Sequence, residues 1–213
     1  MSDRQSSPLP DGSGATPGAN TAKLALRDQL VTARNRRGLL DVGDAARAIT
    51  EHLLSATEVR RAATVAAYVS IGTEPGTTAL LEQLTAPDSG LGRRIILPVV
   101  QPDLDLDWSV YAGPASLAPA RMGLLEPLGP RLGVDAIATA DVVLVPGLAV
   151  SPTGDRMGRG GGCYDRALAR VPVGTPVWVL LYDDEVGIDV PVEPHDRRVT
   201  GAVTPSGLHI FAG

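Results

Sequence analysis

Lysine is almost missing from this sequence: of its 19 basic residues only Lys23 is lysine, and the rest are arginine. Such a skew reflects a bias toward arginine codons. A position that keeps lysine is then a candidate for needing a compact ammonium on a slim stem, where a planar guanidinium will not serve; a single lysine left by chance is the plain alternative. Cysteine is as scarce. Cys163 stands alone, which excludes an internal disulfide, and with three histidines in all no Cys/His zinc cluster can be assembled. A reducing, cytoplasmic setting is expected. Aromatics are few (two Trp, four Tyr, one Phe) and the net charge is −5, so the chain has little to stack bases on and no basic surface for a phosphate backbone. Nucleic acid is not an expected partner. No apolar run approaches the roughly 20 residues of a membrane helix, and the first residues have no apolar stretch resembling a secretory signal. No membrane association is expected.

What is present describes a folded protein. Hydrophobic residues make up 44% and charged residues 20%, and 24 Gly with 18 Pro stay below the level of low complexity. At roughly 100 to 200 residues per domain, 213 residues make one domain with a real core. Residues 1–20 are rich in Ser, Pro and Gly and read as a disordered tail, because they have too little apolar surface to offset the entropy of ordering. The folded domain is expected over 21–213. Thr21 can cap a helix running to about Arg37, and Asp41 a second to about Leu54. Short Val- and Ile-rich runs predict strands at Thr64 to Ser70, Arg94 to Val100, Asp141 to Val145, Val177 to Tyr182 and Val199 to Val203. Helices are expected at Thr77 to Leu84 and Tyr164 to Arg170. Near-continuous apolar strands alternating with helices predict an α/β fold, a single three-layer domain with a mainly parallel sheet flanked by helices. Between Pro102 and Ala118, Leu104, Leu106, Trp108 and Val110 alternate with polar residues, the pattern of a hairpin or edge insertion. Trp108 and Tyr111 there are core residues or a pocket wall.

Chemistry concentrates between Val145 and Asp165. A buried strand ends at Val145, and Gly158, Gly160, Gly161 and Gly162 lie just before a predicted helix. In α/β folds ligands bind at the carboxyl ends of strands, and a glycine-rich loop entering a helix offers backbone N–H groups to an anion. Arg156 and Arg159 add cationic forks, so the loop is a candidate phosphate cradle. It is neither a Walker loop, lacking Gly-Lys followed by Ser or Thr, nor a dinucleotide fingerprint, which would need glycine at Cys163. A mobile turn with solvated arginines is the competing reading. On a helix at about 100° per residue, Lys23, Arg27 and Arg34 fall within roughly 40° of one another, a stripe that composition alone would leave in solvent. Glu74 follows a strand and precedes Pro75; Asp165 opens a helix; Asp196 lies in a polar loop. Taken alone, each is as readily a solvated or helix-start acid as a ligand-binding one. Tyr164 is either a substrate contact or a core residue.

Val145-Pro-Gly-Leu-Ala with Gly154-Asp-Arg-Met-Gly-Arg-Gly-Gly-Gly-Cys-Tyr-Asp165 resembles the signature of the 5-formyltetrahydrofolate cyclo-ligases, also called methenyltetrahydrofolate synthetases. Four further segments resemble that family, in its order: Lys23-Leu-Ala-Leu-Arg27, Tyr68-Val-Ser with Glu74, Met122-Gly-Leu-Leu-Glu-Pro127, and Pro194-His-Asp196. Two departures stand out. Cys163 replaces a usual aromatic, and Val150-Ser151 replaces a usual Phe-Asp.

The resemblance implies ATP-dependent closure of 5-formyltetrahydrofolate to 5,10-methenyltetrahydrofolate, with ADP and phosphate released. It implies ATP held by Lys23, Arg27, Arg156, Met157, Gly158, Arg159, Gly160, Gly161, Gly162, Cys163 and Tyr164, with Lys23 and Arg159 catalytic. Folate would meet Glu74 and Tyr164, and Mg²⁺ accompanying ATP would be held by Asp165 and Asp196. His195 is expected beside the metal rather than on it, and a monomer is expected. A non-catalytic relative that binds folate or another ligand, or a sugar-phosphate isomerase or CoA-transferase-like enzyme on a similar scaffold, is the alternative, since fold does not fix function.

Overall fold

The computed structural model describes residues 17–86 and 93–212. Helix α1 (Pro17–Arg34) is followed by α2 (Leu39–Ser55) and α3 (Thr57–Arg61). Next come β1 (Thr64–Ala66), α4 (Thr78–Thr85), β2 (Arg94–Val100), β3 (Leu106–Val110), β4 (Leu117–Pro119) and β5 (Leu125–Pro127). The rest is β6 (Val142–Pro146), β7 (Ala149–Val150), β8 (Arg156–Met157), α5 (Cys163–Leu168), β9 (Val177–Leu180), β10 (Gly201–Thr204) and β11 (Gly207–Ile210). The main sheet has the order β11-β10-β9-β6-β1-β2-β3. Its five inner strands are parallel, while β3 and β11 are antiparallel edges. The expected three-layer α/β domain is what is found.

Side chains alternate between the two faces of each strand. Val65, Ile95, Val142 and Leu144 meet Ile49 and Leu53 of α2 and Leu80, Leu81 and Leu84 of α4. Ala66, Ile96, Val143 and Val145 turn to the opposite face, where Ile137, Ala167 and Leu168 cover them. Both faces are therefore dry, which is why these strands read as continuous apolar runs.

Several boundaries differ from expectation. The tail expected over 1–20 lies outside the described residues up to residue 16, and its last four residues belong to α1. Pro17 is tolerated there because the first turn of a helix does not use its N–H groups. Strand β1 keeps only three ladder residues of the seven expected. The insertion after β2 is an edge strand, β3, paired from Ile96↔Val110 to Val100↔Leu106, and then the β4–β5 ribbon. Trp108 and Tyr111 are buried in the core clusters and are not pocket walls.

The chain runs from β1 outward through β2 to β3, then returns to place β6 on the other side of β1. The carboxyl ends of β1 and β6 thus flank the point where strand order reverses, the place where open α/β sheets form a crevice.

Candidate active site

A cleft of about 610 Å³ opens at that point, between the segments that follow β1 and β6. Past Ala67, whose N–H still reaches Ile96 O at 3.0 Å, the chain leaves the sheet and turns back on itself. Thr77 Oγ1 donates to Tyr68 O at 2.8 Å and accepts from Ser70 N at 2.9 Å, while Thr77 N donates to Ser70 Oγ at 3.0 Å. This closed loop carries Glu74. Ile71 N donates to Glu74 Oε2 at 3.0 Å and Arg159 Nε to Oε1 at 3.0 Å. Glu74 is buried, whereas the Arg159 side chain is 48% exposed.

The glycine loop is packed, not loose. Arg27 Nε donates to Gly158 O at 3.1 Å, tying α1 to it. A Cβ on Gly158 would sit 2.8 Å from Arg156 Nη1, and one on Gly160 would sit 3.1 Å from Arg27 Cζ. Gly160 also has φ +104, which side chains avoid, so any other residue there would both strain the backbone and push the guanidinium away. Among the described residues the N–H groups of Gly160, Gly161 and Gly162 have no protein acceptor. They are available to an anion.

Lys23 closes the cleft on the α1 side. Its Nζ lies 2.6 Å from Glu193 Oε2 and 2.6 Å from Asp196 Oδ2. Burial works against its charge, but the hydrogen bonds and charges of Asp196 and Glu193 outweigh that and raise its pKa above the usual 10.5. The two acids are held by their own turn, in which Glu193 N donates to Asp196 Oδ2 at 2.7 Å and Asp196 N to Glu193 O at 3.0 Å. Glu193, His195 and Asp196 present ligand atoms within 4.8 Å of one another. Val100, Leu106, Met122, Leu124 and Leu125 give the cleft its apolar lining. Glu126, beside them, accepts from Val100 N at 2.9 Å.

Every expected site residue lines this one cleft, yet several are engaged differently from expectation. Arg156 is not an open fork: its Nη1 donates to Pro146 O at 3.1 Å and its Nη2 to Asp165 Oδ1 at 3.3 Å, and its guanidinium lies 5.8 Å from the Tyr164 ring centre. Asp165 also accepts from Arg197 N at 3.2 Å. Among the described residues the three-donor group that forms around Asp196 contains Glu193 and His195, not Asp165. Tyr164 is half-buried at the cleft, its pKa raised by burial and then by the charge of Glu74. Burial likewise raises the Cys163 thiol, whose Sγ lies 3.8 Å from Gly161 O. Val150 is core, and Ser151 Oγ accepts from Asp155 N at 3.0 Å, so that departure from the family pattern serves packing and a turn.

The cationic stripe of α1 faces the body of the protein and not the solvent that composition alone would give it: Lys23 and Arg27 line the cleft, and Arg34, which the resemblance left open, is buried. Arg34 is buried and gives Nε and Nη2 to the two oxygens of Glu185 at 2.7 and 2.6 Å. Leu26, Leu30 and Val31 beside the stripe pack on Leu148, Met157 and Val190, so α1 lies across the loop instead of on the surface. The reading from sequence passed over Glu193. The one available signal was a carboxylate three residues before Asp196, the span of a single turn.

Fold and cleft define a three-layer α/β protein with a cleft at the switch point of its sheet, lined by four cations and five carboxylates. A model of the 5-formyltetrahydrofolate cyclo-ligase family matches residues 19–205. The 5-formyltetrahydrofolate cyclo-ligase of Mycolicibacterium smegmatis is 44% identical over 147 residues, 67% of this chain and 73% of that protein. That of Escherichia coli K12 is 32% identical over 151 residues, covering 67% and 78%. The NMR structure of Aquifex aeolicus 5,10-methenyltetrahydrofolate synthetase matches with a TM-score of 0.76 at 26% identity, over 90% of this chain and 93% of that one. The chain belongs to the 5-formyltetrahydrofolate cyclo-ligase family, ligases whose reaction is an ATP-dependent cyclisation.

Proposed function

We propose that this protein converts 5-formyltetrahydrofolate and ATP to 5,10-methenyltetrahydrofolate, ADP and phosphate in this cleft. The observation that carries the reading is the 3.0 Å contact between Arg159, on the glycine loop, and Glu74, on the loop after β1. It brings the glycine loop, which we assign to phosphate, next to the carboxylate we assign to the pterin, and direct transfer between two bound substrates requires such proximity.

A formamide oxygen is a poor leaving group, and phosphorylation makes it a good one. The formyl oxygen attacks the γ-phosphorus as ADP leaves. N10 then attacks the formyl carbon, phosphate departs with that oxygen, and the N10 proton is lost to solvent. Such transfer depends on positioning and charge neutralisation. Arg159 and the free N–H groups of Gly160 to Gly162 face the phosphates, with Arg27 holding the loop in place, and Lys23 supplies a mobile point charge. Glu74 accepts hydrogen bonds from the pterin ring. The apolar wall from Val100 to Leu125 covers the rest of the folate.

The donor set fits Mg²⁺: Glu193 and Asp196 offer hard oxygens, and the pair already holds a cation, the Lys23 ammonium. Asp165 lines the same cleft outside that group, paired with Arg156, and is a further candidate ligand. When bound, Mg²⁺ would neutralise phosphate charge. A monomer in the reducing cytoplasm completes the reading; the single Cys163, which allows no internal disulfide, supports the reducing setting.

Mixing the protein with 5-formyltetrahydrofolate and Mg²⁺–ATP tests this by the absorbance of the methenyl product. Product formation is expected only with both nucleotide and divalent cation. Equal turnover in excess EDTA overturns the metal assignment. Turnover without nucleotide points to an isomerase-like enzyme, and folate binding without ADP release to a non-catalytic relative.

A further inference from the structure

Glu74 ends a tight turn, and the peptide bond that leads into it is held at both of its polar atoms. Glu74 N donates to Ile71 O at 3.1 Å, with Gly72 at φ +57 making the reversal possible. The carbonyl of the same peptide, Thr73 O, accepts from the Tyr182 hydroxyl at 2.9 Å, from a residue 109 positions away just past the carboxyl end of β9. Neither Thr73 nor Tyr182 lines the cleft. The contact therefore acts on the backbone that aims Glu74 and not on a bound ligand. A second tether, from Thr73 Oγ1 to Asn35 Oδ1, is long at 3.5 Å and exposed.

The packing of the Tyr182 ring does not call for that hydroxyl. The residue is buried, its backbone N–H donates to Glu185 Oε2 at 3.0 Å, and the Arg37 guanidinium, itself paired with Asp184, lies 3.8 Å from the ring centre. Phenylalanine would keep all of these contacts. What tyrosine adds is one hydrogen bond between the end of a central strand and the Glu74 turn. That turn needs such an anchor, because it lies beyond Ala67, the last residue of its own segment bonded to the sheet. A polar group serves a ligand only when it is held to within about half an ångström. We propose that Tyr182 is a positioning residue: its hydroxyl fixes the Thr73–Glu74 peptide and so sets where the Glu74 carboxylate stands in the cleft. The inference rests on the folate reading of Glu74.

Tyr182→Phe tests it by deleting one oxygen outside the cleft. Calorimetric titration with 5-formyltetrahydrofolate, without nucleotide, compares the wild type, Tyr182→Phe, Glu74→Ala and the double variant. Tyr182→Phe should lose at least about fivefold in folate affinity, the worth of one hydrogen bond, with the KM for folate raised and the KM for ATP unchanged. In the Glu74→Ala background the same change should cost less than about twofold, because the group it positions is gone. Full folate affinity in Tyr182→Phe overturns the proposal. So does an equal loss in both backgrounds, or equal losses toward both substrates; either would make Tyr182 a packing residue only. Full folate affinity in Glu74→Ala is a different failure: the carboxylate is then not the pterin's, and the folate reading of Glu74 falls and takes the positioning role with it.

Discussion

Helix α1 carries three cations on one stripe, and its two ends use them in opposite ways. At the carboxyl end, Arg34 forms a two-pronged pair with Glu185, and the two side chains are only 2% and 4% exposed. At the amino end, Lys23 touches two acids with one atom, and those acids are 18% and 16% exposed at the rim of the cleft. Residue type and helical phase are nearly the same, but the surroundings differ. Arg34 cannot change partner without stranding a buried carboxylate, so it locks the helix. Lys23 can change acceptors, because a small ammonium moves between oxygens and its partly exposed acids can be solvated when it leaves. A cation is structural where both partners are dry and available where its acceptors border a cleft.

The largest expected effect breaks the locked end. Arg34→Ala should cost about 3 to 5 kcal/mol of stability, since Glu185 stays buried without its main partner. Urea unfolding measures this, and a loss below about 1 kcal/mol would place the pair with ordinary surface bridges.

The available end should respond in function instead. Lys23→Arg keeps the charge but should lower kcat/KM for ATP at least about tenfold, or about 1.4 kcal/mol, because a planar fork does not fit a point between two carboxylates. Wild-type kinetics for the Arg variant beside a crippled Lys23→Ala would show that charge alone matters. Wild-type kinetics for both would remove Lys23 from the site.

A partly exposed pair sets the scale between the two. Arg170 gives Nη1 and Nη2 to the two oxygens of Asp105 at 2.9 and 2.5 Å, and these hydrogen bonds hold the Asp105 carboxyl below the ordinary 3.8. A depressed carboxylate pKa contributes stability above the unfolded value that is lost as pH falls through the folded one. Asp105→Asn should therefore cost about 1 kcal/mol at neutral pH, with the gap to wild type closing as the pH falls below the ordinary 3.8 and through the lower folded value. A gap that persists in acid would mean that packing, not charge, is what was lost.

The smallest effect is expected from deleting residues 1–16, which hold none of the α1 cations. Folding and turnover should match the full chain; a large loss of either would give that segment a docking role.

Much of this was legible beforehand. Strand β2 was read to the residue because both its faces are buried, which leaves a continuous apolar run between Arg94 and Val100. The glycine loop was legible because four glycines beside two arginines leave few other uses. Strand β1 was overread because Tyr68 to Ser70 are as apolar as a strand while their hydrogen bonds go to Thr77. The direction of the α1 stripe was not legible from composition, which assigns charges to solvent by default; the family resemblance turned Lys23 and Arg27 toward the site and left Arg34 open, and the acids that draw the stripe inward, Glu185 and Glu193, lie more than 150 residues away.

By itself, then, the sequence determined the inner strands of a mainly parallel sheet, the main helices that flank it, and where the glycine loop lies. These follow from local periodicity and from turn chemistry, which neighbours in the chain dictate. Only the tertiary structure decided that Arg159 meets Glu74, that Lys23 rests between Glu193 and Asp196, and that Arg156 is tied to Pro146 O and Asp165. A partner for a charge or a hydroxyl is set by which strand ends the topology brings together, and no spacing along the chain carries that information.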